Sequence, residues 1–169
     1  MEQMLIRPLT IKHIHQEKIF YKECWQHGDI AIVHRGVVGN EGITEEHPCD
    51  NFEKFESDFI KQYKHQGYAT IPNNEQYLVT IQLKVRSAQA GIELKNQVTE
   101  ALNEKLGWLG LGCVDGFDID IKKSILGYYN LEIYCVVVDS DKACNEIKKL
   151  MPCAAISDYT ISVHVNTGS

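Results

Sequence analysis

The sequence has no apolar run near the ~18 residues that a membrane-crossing helix needs; its uninterrupted stretches, such as Cys135 to Val138, are far shorter. The start, Met1-Glu2-Gln3-Met4, lacks the basic-then-apolar layout of a secretion signal, so a cytoplasmic protein is expected. Positive charge is also scarce. Eight basic residues stand against eleven acidic ones before Asn74, and nine against twelve after it, within a net charge of −6. That balance disfavours a protein whose binding energy comes mainly from phosphate backbones, because such proteins concentrate Lys and Arg on one face. None of the six cysteines (Cys24, Cys49, Cys113, Cys135, Cys144, Cys153) forms a C-x-x-C pair, which leaves buried free thiols as the expectation. His13 and His15, with Cys24 and His27 further on, match no standard zinc spacing, so neither a metal site nor a cofactor is expected.

What remains is a chain of 169 residues, 44% hydrophobic and 24% charged, enough to bury one or two cores. Residues 17–25 and 29–38 are rich in β-branched and aromatic side chains and are separated by Gln26-His27-Gly28, the pattern of a hairpin. After Gly36, Gly39 and Gly42, the segment Ile43-Thr44-Glu45-Glu46 reads as a third strand. A helix is expected next, with Asp50 as its cap, Glu53 completing a capping box and Gly67 closing it. Phe52, Phe55, Phe59, Ile60 and Tyr63 form its apolar stripe, suited to packing on the hairpin sheet.

The polar stretch 71–76 divides the chain into residues 1–70 and 77–169. Tyr77 to Arg86 alternates as a half-buried strand. Leu94, Val98, Ala101, Leu102 and Leu106 mark a helix ending at Gly107. Phe117, Ile119 and Ile121 alternate with Asp118 and Asp120, and Asn130 to Asp139 is a continuous strand. Ser140 caps a helix carrying Ala143, Cys144, Ile147, Leu150 and Met151 before Pro152, and Tyr159 to Val165 closes the series. The fold class is therefore α+β in two small domains, the second a βαββαβ, ferredoxin-like sandwich with two helices on one sheet face. Its other face is expected to carry Thr80, Gln82, Lys84, Asp118, Asp120, Glu132, Tyr134, Thr160, Ser162 and His164, either wet or covered by a partner. Asp115, Asp118 and Asp120 suggest a calcium loop, but no Glu stands at its twelfth position.

Residues 17–68 resemble the WGR domain, a small antiparallel sheet with one helix found in poly(ADP-ribose) polymerases and in bacterial proteins. The resemblance is carried by Phe20-Tyr21, by the run Val33 to Gly42, and by Phe52, Phe55, Phe59, Tyr63-Lys64 and Gly67-Tyr68. At the positions that name the family this chain has Arg35-Gly36-Val37. The resemblance implies that domain's fold and, around His34, Arg35 and Asn40, a surface that in the polymerases touches DNA; Val37 supplies neither a stacking ring nor a phosphate-pairing group.

Three functions follow. The first is a non-catalytic protein-binding protein, in the style of a bacterial immunity (toxin-neutralising) or regulatory protein. It would meet its partner through His34, Arg35, Asn40, Glu41, Lys84, Asp118, Asp120, Glu132, Tyr134 and His164, and an acidic surface would favour a basic partner. The second is nucleic-acid binding through the WGR-like surface. The third is an enzyme or sensor using Asp115, Asp118, Asp120, His164 or Cys113, although no nucleophile lies beside a base in a recognised motif. The first is the reading adopted.

Overall fold

Apolar and polar side chains alternate along the longer strands, and the computed structural model pairs the strands into two separate sheets. It describes the backbone of residues 11–15 and the whole of residues 18–120, 122–154 and 156–167. The chain start at Met1–Met4, Glu17, Ile121 and the side chains of His13 and His15 lie outside the described residues. The chain divides into a unit ending at Ile71 and a unit beginning at Pro72. No helix among the described residues is long and apolar enough to cross a membrane.

In the first unit, β1 (Ile11–His15), β2 (Lys18–His27), β3 (Ile30–Val37), β4 (Ile43–Pro48) and β5 (Ala69–Thr70) form an antiparallel sheet of order β4-β3-β2-β1-β5. The hairpin and third strand stand where composition and the intervening glycines place them, but β2 runs on through His27, so the reversal falls at Gly28-Asp29. β1 and β5 were not foreseen. Helix α1 (Phe52–Lys64) lays its aromatic stripe on the sheet face bearing Cys24 and Val33, with Phe59 buried and Phe52, Phe55, Ile60, Tyr63 and Tyr68 packed around it. Successive rings touch, Phe59 and Tyr63 edge-on at 4.7 Å, a geometry that adds about 0.5–1.5 kcal/mol per pair to simple burial. The cap is Asn51, whose side chain accepts from the Lys54 N–H, which corrects the expectation of Asp50. Gly67 does take a left-handed conformation beyond the helix end.

In the second unit, β6 (Tyr77–Val85), β7 (Gly112–Ile119), β8 (Tyr129–Val137) and β9 (Tyr159–Val165) form a sheet of order β7-β8-β6-β9. Helices α2 (Ala88–Trp108) and α3 (Ser140–Cys153) complete the βαββαβ order. Val79, Ile81 and Leu83 of β6 and Leu131, Ile133 and Cys135 of β8 are buried with Val98, Leu102 and Leu106 of α2 and Ala143, Ile147 and Met151 of α3. These apolar layers supply the driving force, because each fully buried aliphatic side chain gains roughly 1.5–3 kcal/mol.

Two helix ends of this unit also differ from expectation. Gly107 lies inside α2, and Gly110, at φ +59, takes the left-handed position after it; the Leu111 N–H then bonds the Leu106 carbonyl. Asp139, not Ser140, caps α3 by accepting from the Lys142 N–H. β7 also begins earlier than Phe117, at Gly112, with a bulge between Val114 and Gly116 that leaves Asp115 without an opposite residue.

Candidate binding face and a buried polar tie

Because side chains alternate along a strand, the register of β6 to β9 decides which groups share the sheet face opposite the helices. One row across it reads Thr160, Gln82, Glu132, Asp118, and the next Ser162, Thr80, Tyr134, Gly116. Lys84 stands opposite Asn130 on one side of these rows, and His164 opposite Leu78 on the other. The sequence-expected residues Lys84, Asp118, Glu132, Tyr134 and His164 are therefore brought onto one face, and Asp120, just past the end of β7, is bonded to Asn130 opposite Lys84.

That face is internally ordered. Gln82 Nε2 donates to Glu132 Oε1 at 3.0 Å, and the Tyr134 hydroxyl donates to Glu132 Oε2 at 2.8 Å. Both carboxylate oxygens of Glu132 are thus held, which fixes the side chain at the centre of the sheet. Burial, then the bond to Glu132 and the nearby Asp118 charge, pushes the Tyr134 phenol up to about 12, so it remains a donor throughout the physiological range. Asp120 Oδ2 accepts from the side-chain amide of Asn130 at 2.7 Å. Asp118 Oδ1 accepts from the Ile119 N–H, and Lys84 reaches Asp158 at 3.6 Å. Asp115, Asp118 and Asp120 do not converge: no group of three His, Cys, Asp or Glu among the described residues is arranged to hold a metal ion.

The first unit distributes its expected contact residues differently. Arg35, Asn40 and Glu41 are exposed, but His34 is 2% exposed, so its expected place on a contact surface is corrected. The reason is the strand period: His34 and Arg35 point to opposite sheet faces. On the His34 side, cross-strand register sets Glu23 opposite His34 and Tyr21 opposite Gly36. His34 Nδ1 lies 2.6 Å from Glu23 Oε1, and Nε2 lies 3.0 Å from the Tyr21 hydroxyl. Since a carboxylate only accepts, Nδ1 carries the proton donated to Glu23, and in the neutral ring Nε2 then accepts from the Tyr21 hydroxyl. A carboxylate, imidazole and hydroxyl in series is the order found in nucleophilic triads. Here the hydroxyl is capped. Tyr21 is 1% exposed, and its ring lies over Gly36 and Gly42, where a methyl on Gly42 would overlap the Tyr21 hydroxyl and the His34 ring. Burial, with Glu23 close by, holds the Tyr21 phenol protonated far above its ordinary range. The network is a tie across β2 and β3, lidded by the two glycines.

Arg35, on the helix side, is already engaged. Its Nε and Nη2 both donate to Glu45 Oε1, at 3.0 and 2.7 Å, and the guanidinium holds the Glu45 carboxyl below its usual range. Lys22 stands directly opposite Arg35, a repulsive pairing, and its ammonium sits 3.6 Å from the centre of the Tyr63 ring. Partial burial and the Arg35 charge lower the Lys22 ammonium.

The cysteines carry no disulfide: Cys24, Cys49 and Cys135 are buried, Cys113 and Cys144 half-buried, and Cys153 exposed. Burial pushes the Cys24 and Cys135 thiols up to about 12, opposite to what a thiolate nucleophile needs.

Tyr21 and Glu23 were the functional-looking residues that sequence reading passed over. Their signal was an acidic side chain at an alternating position inside an otherwise β-branched and aromatic hairpin, facing a histidine on the paired strand. Comparison of the chain with protein-family models, with curated proteins and with solved structures finds no match.

Proposed function

We propose that this is a non-catalytic protein-binding protein of the immunity or regulatory kind, which docks on a macromolecular partner through the helix-free sheet face of its second unit. The observation that carries the reading is the ordered centre of that face, Gln82, Glu132 and Tyr134 bonded to one another beside Asp118. Groups already locked in one geometry lose little freedom on binding, so more of their interaction energy appears as affinity. Carboxylates at Asp118, Asp120 and Glu132 favour a partner presenting Lys or Arg, and speed the encounter.

We read the first unit as WGR-like. Support for nucleic-acid binding through it is weaker, because Arg35 is neutralised by Glu45 and His34 is inside. A titration with nicked and blunt DNA at low salt tests this directly. Saturable binding there would favour the nucleic-acid reading; no binding is expected.

The partner reading is tested by affinity capture from the native host, comparing the chain with its Asp118→Lys, Glu132→Lys variant. A protein recovered by the parent and lost from the variant is expected. Identical recovery by both, or none by either, contradicts it.

A further inference from the structure

A sheet ends in edges whose unpaired N–H and C=O groups invite another strand, and proteins blunt them with charge, proline, bulges or shortness. Among the described residues the two sheets have four end strands, β4, β5, β7 and β9. β4 carries Glu45, Glu46 and Pro48, and β5 is two residues long. β7 has its bulge at Asp115 and the exposed carboxylate of Asp118. β9 has none of these devices. Its seven residues, Tyr-Thr-Ile-Ser-Val-His-Val, contain no Lys, Arg, Asp, Glu, Pro or Gly, and they pair with β6 without a register shift. Val163 and Val165 on its apolar side are 41% and 54% exposed.

The geometry points to a second copy of this chain as the occupant of that edge, the two β9 strands pairing antiparallel about a twofold axis through Ser162. The strand is its own complement in that register. Tyr159 meets Val165, Thr160 meets His164, Ile161 meets Val163, and Ser162 meets itself, so apolar faces apolar and polar faces polar at every position. Asp158 falls opposite Asn166, so no like charges oppose one another. Moving the axis by one residue either way shortens the overlap, and any register of odd offset sets apolar side chains against polar ones. The isologous contact closes on itself, producing a dimer rather than a fibre. It joins two four-stranded sheets into one, with both helix-free faces on the same side. This pairing does not depend on the partner reading.

The test is the mass of the full-length chain in solution by sedimentation equilibrium from micromolar to millimolar concentration, for the parent and for Ser162→Lys. That substitution sets two ammonium groups against each other on the axis while altering only an exposed side chain. The parent is expected at twice the 19.2 kDa of one chain at the upper end, and the variant, with an unchanged circular dichroism spectrum, at the mass of one chain throughout. A parent that stays single at every concentration, or a folded variant that still doubles, overturns the proposal. Amide hydrogen exchange of the parent gives a second check that needs no substitution. Protection of residues 159–165 should rise with concentration while that of 43–48 does not; equal behaviour of both edges overturns it as well.

Discussion

Two glycines with different surroundings show how far a single residue decides stability here. Gly42 lies against His34 and Tyr21, so Gly42→Ala forces the buried tie apart, with an expected loss of about 1–3 kcal/mol. Gly107, inside α2 with nothing near the place a methyl would occupy, behaves oppositely. Gly107→Ala should stabilise by roughly 0.4–1 kcal/mol, by reducing the freedom of the unfolded chain. Urea unfolding of the two variants checks both signs. The thiols give a pH dependence. Cys24 and Cys135 have folded values near 12, raised by burial above the ordinary thiol value of 9.0. A raised value favours the protonated folded form. Their contribution is therefore complete below about pH 9 and is lost as pH climbs toward 12. Stability should fall between neutral and strongly alkaline pH, and Cys135→Ala, though less stable at neutral pH, should show a smaller fall. An equal fall in both proteins would contradict the assignment.

At the scale of elements, the caps separate what a sequence states from what the fold selects. Asp50-Asn51 and Asp139-Ser140 each offer two adjacent residues able to cap, and periodicity places a helix start only to within a residue or so. The structure selects Asn51 and Asp139, which sit in extended conformation with their side chains on the Lys54 and Lys142 amides. Asn51→Ala should cost about 1 kcal/mol, while Asp50→Ala should change thermal stability little; the reverse order would restore the capping box. The β6 and β9 strands and helices α1, α2 and α3 were legible because each has an apolar face of clear period, the β2–β3 hairpin and β8 because they are long runs rich in β-branched and aromatic residues, and β4 because glycines set it off from the hairpin. β1 and β5 were not, since Ile11–His15 mixes lysine and histidine among its isoleucines and Ala69–Thr70 is too short for any period. The buried place of His34 was hidden for a different reason. Only the cross-strand register supplies Glu23, the partner that makes a buried imidazole tolerable.

For the whole molecule, charge and architecture point the same way. The net −6 is shared between the two parts, and three carboxylates of the second, Asp118, Asp120 and Glu132, stand on the sheet face that its helices leave uncovered. That face was legible as a list of alternating residues. Its hydrogen bonds were not, because they depend on which strands become neighbours: Gln82 and Glu132 are fifty residues apart in the chain. The most direct trial of partner docking installs a photo-crosslinking side chain at Thr80, within the face, and in a separate chain at exposed Glu104 on α2, followed by irradiation in the native host. A discrete crosslinked protein from position 80 and none from position 104 is the expected result. The same products from both positions, or none from position 80, would contradict the claim that this sheet face is where the molecule acts.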